Sequence, residues 1–166
     1  MILGMSVGTF TLLHVIISLI GIVSGLFVLA AMLGGREPRG LTAVFLCTTV
    51  LTSATGFLFH APASSPAHIV GVISLVILAV ALVALYVKHL HGAWRPTYVI
   101  TAAIALYLNC FVGVVQSFDK IPALKALAPT GSEPPFKVVQ LVVLVLFAGL
   151  GFLAVKRFHP PLETAA

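Results

Sequence analysis

Residues 9–33 read TFTLLHVIISLIGIVSGLFVLAAML, a run of 25 residues without an Asp, Glu, Lys or Arg. At about 1.5 Å of rise per residue, a helix of that length crosses a hydrocarbon core of about 30 Å. Four further stretches repeat the pattern, at 41–59, 67–87, 96–118 and 136–155, with Lys137 at the start of the last as their lone charge. Lipid leaves no partner for an unpaired backbone group, so an apolar segment of this length spans as a helix. The pattern predicts an all-α fold: a polytopic membrane protein built as a five-transmembrane-helix bundle. Little chain remains outside the spans, so residues 1–166 read as a single integral membrane domain.

Composition agrees. Hydrophobic residues make up 60% of the chain and charged residues 8%, against about 25% charged in soluble domains. The net charge of +5 comes from cations at the ends of the spans. There they read as topology signals and lipid headgroup contacts rather than as a nucleic-acid footprint. The expected partners are the lipid bilayer, no nucleic acid, and either a second copy of the chain or a larger membrane complex. Cys47 and Cys110 fall at different depths of different spans, which argues against a disulfide and for small apolar filler. Residues 1–8 carry no Lys or Arg, and the following apolar run is too long for a cleaved signal, so the first span is expected to be retained. The hydropathy resembles that of small bacterial-type inner-membrane proteins.

Alternating the spans defines two faces. Face A carries the N-terminus and the loops after spans two and four; face B carries the loops after spans one and three and the C-terminal tail. Face B holds Arg36, Arg39, Lys88, Arg95, Lys156 and Arg157, whereas face A holds Lys120, Lys125 and Lys137. The positive-inside rule makes B cytoplasmic, with the N-terminus outside. Tyr86, Trp94 and Tyr98 suit an aromatic belt at the B ends of spans three and four. Ser65-Pro66 reads as an N-cap followed by a first-turn proline opening span three. Behind Pro122, Ile121, Leu124 and Leu127 follow helical spacing with Lys120 and Lys125 among them. That predicts a short interfacial helix between spans four and five.

Small and polar residues mark the faces on which membrane helices meet. Span one carries Thr11, His14, Ser18, Gly21 and Gly25 on one stripe; span two carries Thr49, Ser53, Gly56 and His60; span four carries Thr101, Ala105, Asn109, Gly113 and Gln116. Gly21, Gly25, Ser18, Ser53 and Gly56 are the expected packing residues, and the plain reading of these stripes is helix association alone.

Depth separates the polar groups further. His14 lies about 8 Å below face A and Asn109 about 13 Å, by helical rise. His60 and His68 stand at the A ends of spans two and three, Gln116 and Asp119 at the A end of span four, and Gln140 one turn into span five. Imidazole is costly in hydrocarbon without a partner. The candidate ligand-binding residues are therefore His14, His60, His68, Asn109, Gln116, Asp119 and Gln140, and the candidate metal ligands are His14, His60 and His68. Three converging imidazoles would suit a metal ion, two facing ones a haem, and one or two a quinone. Against this stand plainer roles: His60 and His68 as solvated rim residues, and His14 as a buried histidine donating to Gln116, Asn109 or a carbonyl.

The expected function is that of a membrane protein with a histidine-lined polar site in its outer half, binding haem, a metal ion or a quinone. The alternative is a structural or assembly subunit. A transporter fits less well, since no carboxylate is buried in a span and no matched pair of broken helices is visible. Hydrolytic chemistry fits least: the four carboxylates all lie in loops or the tail, and no nucleophile elbow or zinc-protease helix occurs. A reporter fused to the C-terminus should be active in its cytoplasmic form and silent in its periplasmic form; the reverse result would invert the orientation.

Overall fold

A computed structural model describes residue 2 and residues 4–59 and 65–160. Among these residues the chain is helical throughout, apart from its turns and an isolated bridge between Ile2 and Met5. α1 is Val7–Leu33, α2 Arg39–Gly56, α3 Pro66–Leu82, α4 Trp94–Lys120, α5 Pro122–Leu127 and α6 Pro134–Arg157.

The caps follow from local chemistry. Ser6 sits in extended backbone and its Oγ accepts from the Thr9 N–H at 3.1 Å, which starts α1. At the other end Gly35 takes a φ of +72°, and the Arg36 N–H returns to the Ala31 carbonyl at 2.9 Å. A left-handed residue is needed there to close the helix, and glycine enters that region without penalty. Ser65 caps α3 and Pro66 occupies its first turn, as the sequence predicts. α3 continues into a wider π turn over Val83–Val87, where the Lys88 N–H reaches back to the Val83 carbonyl at 2.9 Å. His89 and Leu90 then adopt φ values of 48° and 60°. Leucine is rarely left-handed. It is held so because its side chain is buried and its N–H bonds the Ala84 carbonyl at 3.0 Å.

Four of these helices are long and apolar enough to cross a membrane: Val7–Leu33, Pro66–Val87, Trp94–Lys120 and Pro134–Arg157. The fifth expected span behaves differently. α2 is 18 residues long, opens on Arg39 and spends Thr42, Thr48, Thr49, Thr52, Ser53 and Thr55 on hydroxyls. It also stops at Gly56 rather than running to residue 59, because Leu58 and Phe59 turn back in tight bonds to Thr55 and Gly56 carbonyls. The short helix foreseen behind Pro122 forms as α5, six residues with none buried.

Packing is uneven along the bundle axis. α1 packs on α2, α4 and α6; α4 also packs on α3 and α6, and α2 on α3. The continuous core lies toward face B, around Met32, Phe45, Leu78, Leu85, Tyr98 and Phe158. Tyr98 is 0% exposed and packs against Phe158, so it is a core residue and not part of an aromatic belt. The belt expectation failed there because helix-end position says nothing about which way the ring faces. Tyr86 is exposed, and Trp94 is half-buried with the Lys88 ammonium over its ring. α6 buries only Ala154. Large apolar side chains such as Leu12, Phe27, Val76 and Val145 cover the outside, which suits a hydrocarbon surround.

The closest approach is at Gly25. A Cβ there would stand 2.6 Å from Leu106 Cδ1 of α4 and 2.8 Å from the Phe45 ring of α2. Gly21, one turn earlier, faces Thr48 Oγ1 at 3.2 Å, Thr49 Oγ1 at 3.3 Å and Asn109 Nδ2 at 3.4 Å from the same construction. Both expected packing glycines are thus buried where three helices meet. Gly25→Leu should lower stability by about 1–3 kcal/mol or more through overpacking, read as an earlier midpoint in SDS unfolding; Gly149→Leu, which faces open space, should leave the midpoint in place.

Candidate functional site

The α1–α2 seam is a series of rungs, with each step up α1 meeting a step down α2. Gly25 meets Phe45, Gly21 meets Thr48 and Thr49, His14 meets Thr55, and Phe10 meets Phe59. The polar rung sits toward face A. His14 Nδ1 lies 2.8 Å from Thr55 Oγ1. Thr55 in turn donates its hydroxyl proton to the Leu51 carbonyl at 2.7 Å. A threonine has one proton to give. With Thr55 donating to Leu51, its Oγ1 accepts from the His14 Nδ1–H, and the neutral imidazole then carries its lone pair on Nε2. Among the described residues Nε2 has no hydrogen-bond partner. The Phe59 ring packs edge-on against the imidazole at 5.2 Å and restricts how it can turn.

This corrects the expected partner of His14. Asn109 and Gln116 are on α4, whereas His14 faces α2. Asn109 donates instead to Thr49 Oγ1 at 3.3 Å. Gln116, two helical turns beyond Asn109, is exposed among the described residues. Gln140 is half-buried and donates Nε2 to the Phe111 carbonyl at 3.2 Å, while its Oε1 is buried without a partner.

Of the candidate histidines, the two among the described residues, His14 and His68, keep to separate partners. His68 sets Nδ1 2.7 Å from Ser65 Oγ and packs on Phe57 at 5.3 Å. His14 packs on Phe59. The two imidazoles thus use two different rings at the end of α2, on its α3 side and its α1 side respectively. His60 lies outside the described residues. Among those described, no three His, Cys, Asp or Glu side chains converge as a metal site would require. Asp119 is exposed and held by Lys120 and Lys125 Nζ, each at 2.9 Å, so it orients no imidazole. Ser18 bonds back to the His14 carbonyl at 2.7 Å, while Ser53 is buried and Gly56 half-buried within the α2 packing.

Among the described residues, three direct bonds through polar side chains link the long helices: His14 to Thr55, Asn109 to Thr49 and Gln140 to Phe111; Lys125 to Asp119 ties α5 to α4. The serines and threonines mostly return their protons to their own helix, as Ser24 does to Ile20 and Thr101 to Thr97. Thr55 is the contact residue of His14 that the small-residue stripe of span two passed over. Its signal was a second hydroxyl ridge, Thr48, Thr52 and Thr55, at the same four-then-three spacing. Thr52 Oγ1, one turn deeper than Thr55, is buried with no partner.

Outside the spans, Glu133 organises the loop before α6. Some desolvation opposes its ionisation, but hydrogen bonds from the Thr130 hydroxyl, the Thr130 N–H, its own N–H and the Ser132 N–H outweigh it and hold the carboxyl at about 2. The loop is a turn with a fixed charge, well away from the histidines in sequence.

No protein-family model, curated protein or solved structure matches this chain. The role of the His14 pair rests on its own chemistry. Thr55→Val removes the acceptor and leaves the Nδ1–H unpaired; a stability loss of about 0.6 kcal/mol, and no more than about 1.7, is expected for one interhelical bond in a membrane protein, with Thr55→Ser restoring it. Equal unfolding midpoints for Thr55→Val and wild type would show the bond to be idle.

Proposed function

We propose that this chain is a five-span integral membrane protein, with α2 as the remaining span, that holds a hydroxyl-bearing amphipathic ligand of the quinol class at His14 in its outer half. The observation that carries the reading is the chain His14 Nδ1–Thr55 Oγ1–Leu51 carbonyl, at 2.8 and 2.7 Å. With the Thr55 hydroxyl donating to Leu51, the imidazole presents a bare Nε2 acceptor near face A. Such an acceptor is costly in hydrocarbon unless a donor meets it, and a quinol O–H is a donor that itself lives in the bilayer. A protonated imidazole would serve the quinone carbonyl in the same place, so one residue answers both redox forms. Thr52 Oγ1, buried and unpartnered one turn deeper, supplies a second polar point.

One observation supports the quinol over the other ligand classes. A haem with two imidazole ligands, or a three-histidine metal ion, needs histidines that share a space. Here the ends of α1 and α3 direct His14 and His68 onto different aromatic rings. The span assignment of α2 is supported by its rungs, which follow α1 from Phe45 opposite Gly25 to Phe59 opposite Phe10. The excess of Lys and Arg on face B supports an N-out, C-in orientation in a bacterial-type inner membrane.

A second reading is favoured by α6. With only Ala154 fully buried, that helix leaves most of its surface outward, as a subunit of a larger membrane complex would. The mass of the particle extracted without detergent, in its native lipids, separates a lone chain from such a complex.

The ligand test uses the purified full chain in native-lipid discs. Solvent extraction and mass spectrometry should recover a quinone, and a short-tailed ubiquinol should bind at one site. His14→Phe should abolish both while keeping the helical circular dichroism. Quinol binding absent from the wild type, or equal in His14→Phe, would overturn the assignment; a Soret band or a stoichiometric metal would transfer the site to haem or metal instead.

A further inference from the structure

A separate feature lies between α4 and α6, on the side of α4 away from His14's partner helix. It is a groove of about 400 Å³, within the size range of ligand pockets. Ile100, Ile104 and Tyr107 of α4 form one wall, and Ala148, Gly151 and Phe152 of α6 the other. Small residues hollow it out. A Cβ on Gly151 would touch Ala103 Cβ at 3.6 Å, and Ala148 lines the groove one turn along, between the larger Phe147 and Phe152. The walls step along both helices at three and four residues, so the groove runs with the axes and not across them.

Its B end is charged. Lys156 follows Phe152 by one helical turn, and its Nζ lies 4.4 Å over the Phe152 ring. Arg157 is beside it, and the last turn of α6 carries both cations. An apolar slot along the membrane axis, ending at an ammonium where helix and headgroup region meet, matches one kind of molecule end to end. We infer that the groove is a binding site for an anionic glycerophospholipid, with one acyl chain in the α4–α6 slot and the phosphate at Lys156. The inference rests on the membrane reading but not on the quinol at His14.

The charge complementarity decides the class. A zwitterionic lipid would gain the slot but little from the ammonium, whereas an acidic headgroup gains both. One Lys near an anionic lipid surface corresponds to about fivefold in affinity. Positive charge on face B also places the headgroup in the leaflet where anionic lipids are sensed by basic segments.

The test is native mass spectrometry of the full chain released from discs of phosphatidylcholine and phosphatidylglycerol at nine to one. The wild type should retain phosphatidylglycerol enriched about fivefold or more over that ratio. Lys156→Gln should bring the bound lipid back to the disc ratio. Ala148→Leu, which fills the slot, should lose bound lipid of either kind. His14→Phe should leave enrichment unchanged, which separates this site from the quinol site. Retention at the disc ratio by the wild type, or undiminished enrichment in Lys156→Gln, would overturn the proposal. So would release of the wild type as a dimer that Ala148→Leu converts to a monomer, since the groove would then be a contact between copies. Should Ala148→Leu fail to fold, the Lys156→Gln result decides alone.

Discussion

The arrangement of the helices depends on two missing side chains. At Gly25 the backbone of α1 sits so close to Phe45 and Leu106 that even a methyl group would overlap both. Membrane helices gain little from hiding apolar surface, because lipid is as apolar as their neighbours. What holds them is close packing and the few hydrogen bonds that close packing allows. Gly21 shows the link between the two. The same absence of a side chain that admits Thr48 and Thr49 also admits Asn109, which then donates to Thr49. The glycine pair sets the distance, and the polar rungs follow from it.

The bundle is consequently asymmetric. Toward face B, buried side chains from α1, α2, α3, α4 and α6 close into one core. Toward face A the helices are joined by single polar contacts and aromatic pairs, His14 to Thr55 and Phe10 to Phe59 among them. The tight end includes the energetically unusual turn at Leu90, whose left-handed backbone is over-determined by its burial and by the bond to Ala84. The loose end is where His14 and His68 are.

Much of this was legible in the sequence. Charge-free runs marked the long helices, Ser65-Pro66 marked the start of α3, and the four-residue spacing of Gly21 and Gly25 marked the closest seam. Other features were not legible, for specific reasons. Hydropathy counts α2 with the other spans until its hydroxyls and Arg39 are weighed as a group. Helical spacing located His14 on a seam but not the helix across it, since rotation about the α1 axis depends on contacts with α2 and α4 together. Gln116 shares a helical stripe with Asn109, yet a stripe is buried only as far as a neighbouring helix extends. Tyr98 has the sequence position of a belt residue and the surroundings of a core residue.

The hydroxyls that fold back on their own helices have an implication for how the protein is made. A serine or threonine bonded to a carbonyl one turn earlier enters lipid with its polarity already satisfied, so each helix can be inserted singly at little cost. His14, Asn109 and Gln140 differ: their partners belong to other helices, and they are satisfied only after neighbours arrive. On the membrane reading, assembly has an order, with α1, α2, α4 and α6 completing one another's hydrogen bonds. α3, whose polar side chains make no such interhelical bond among the described residues, joins through shape alone.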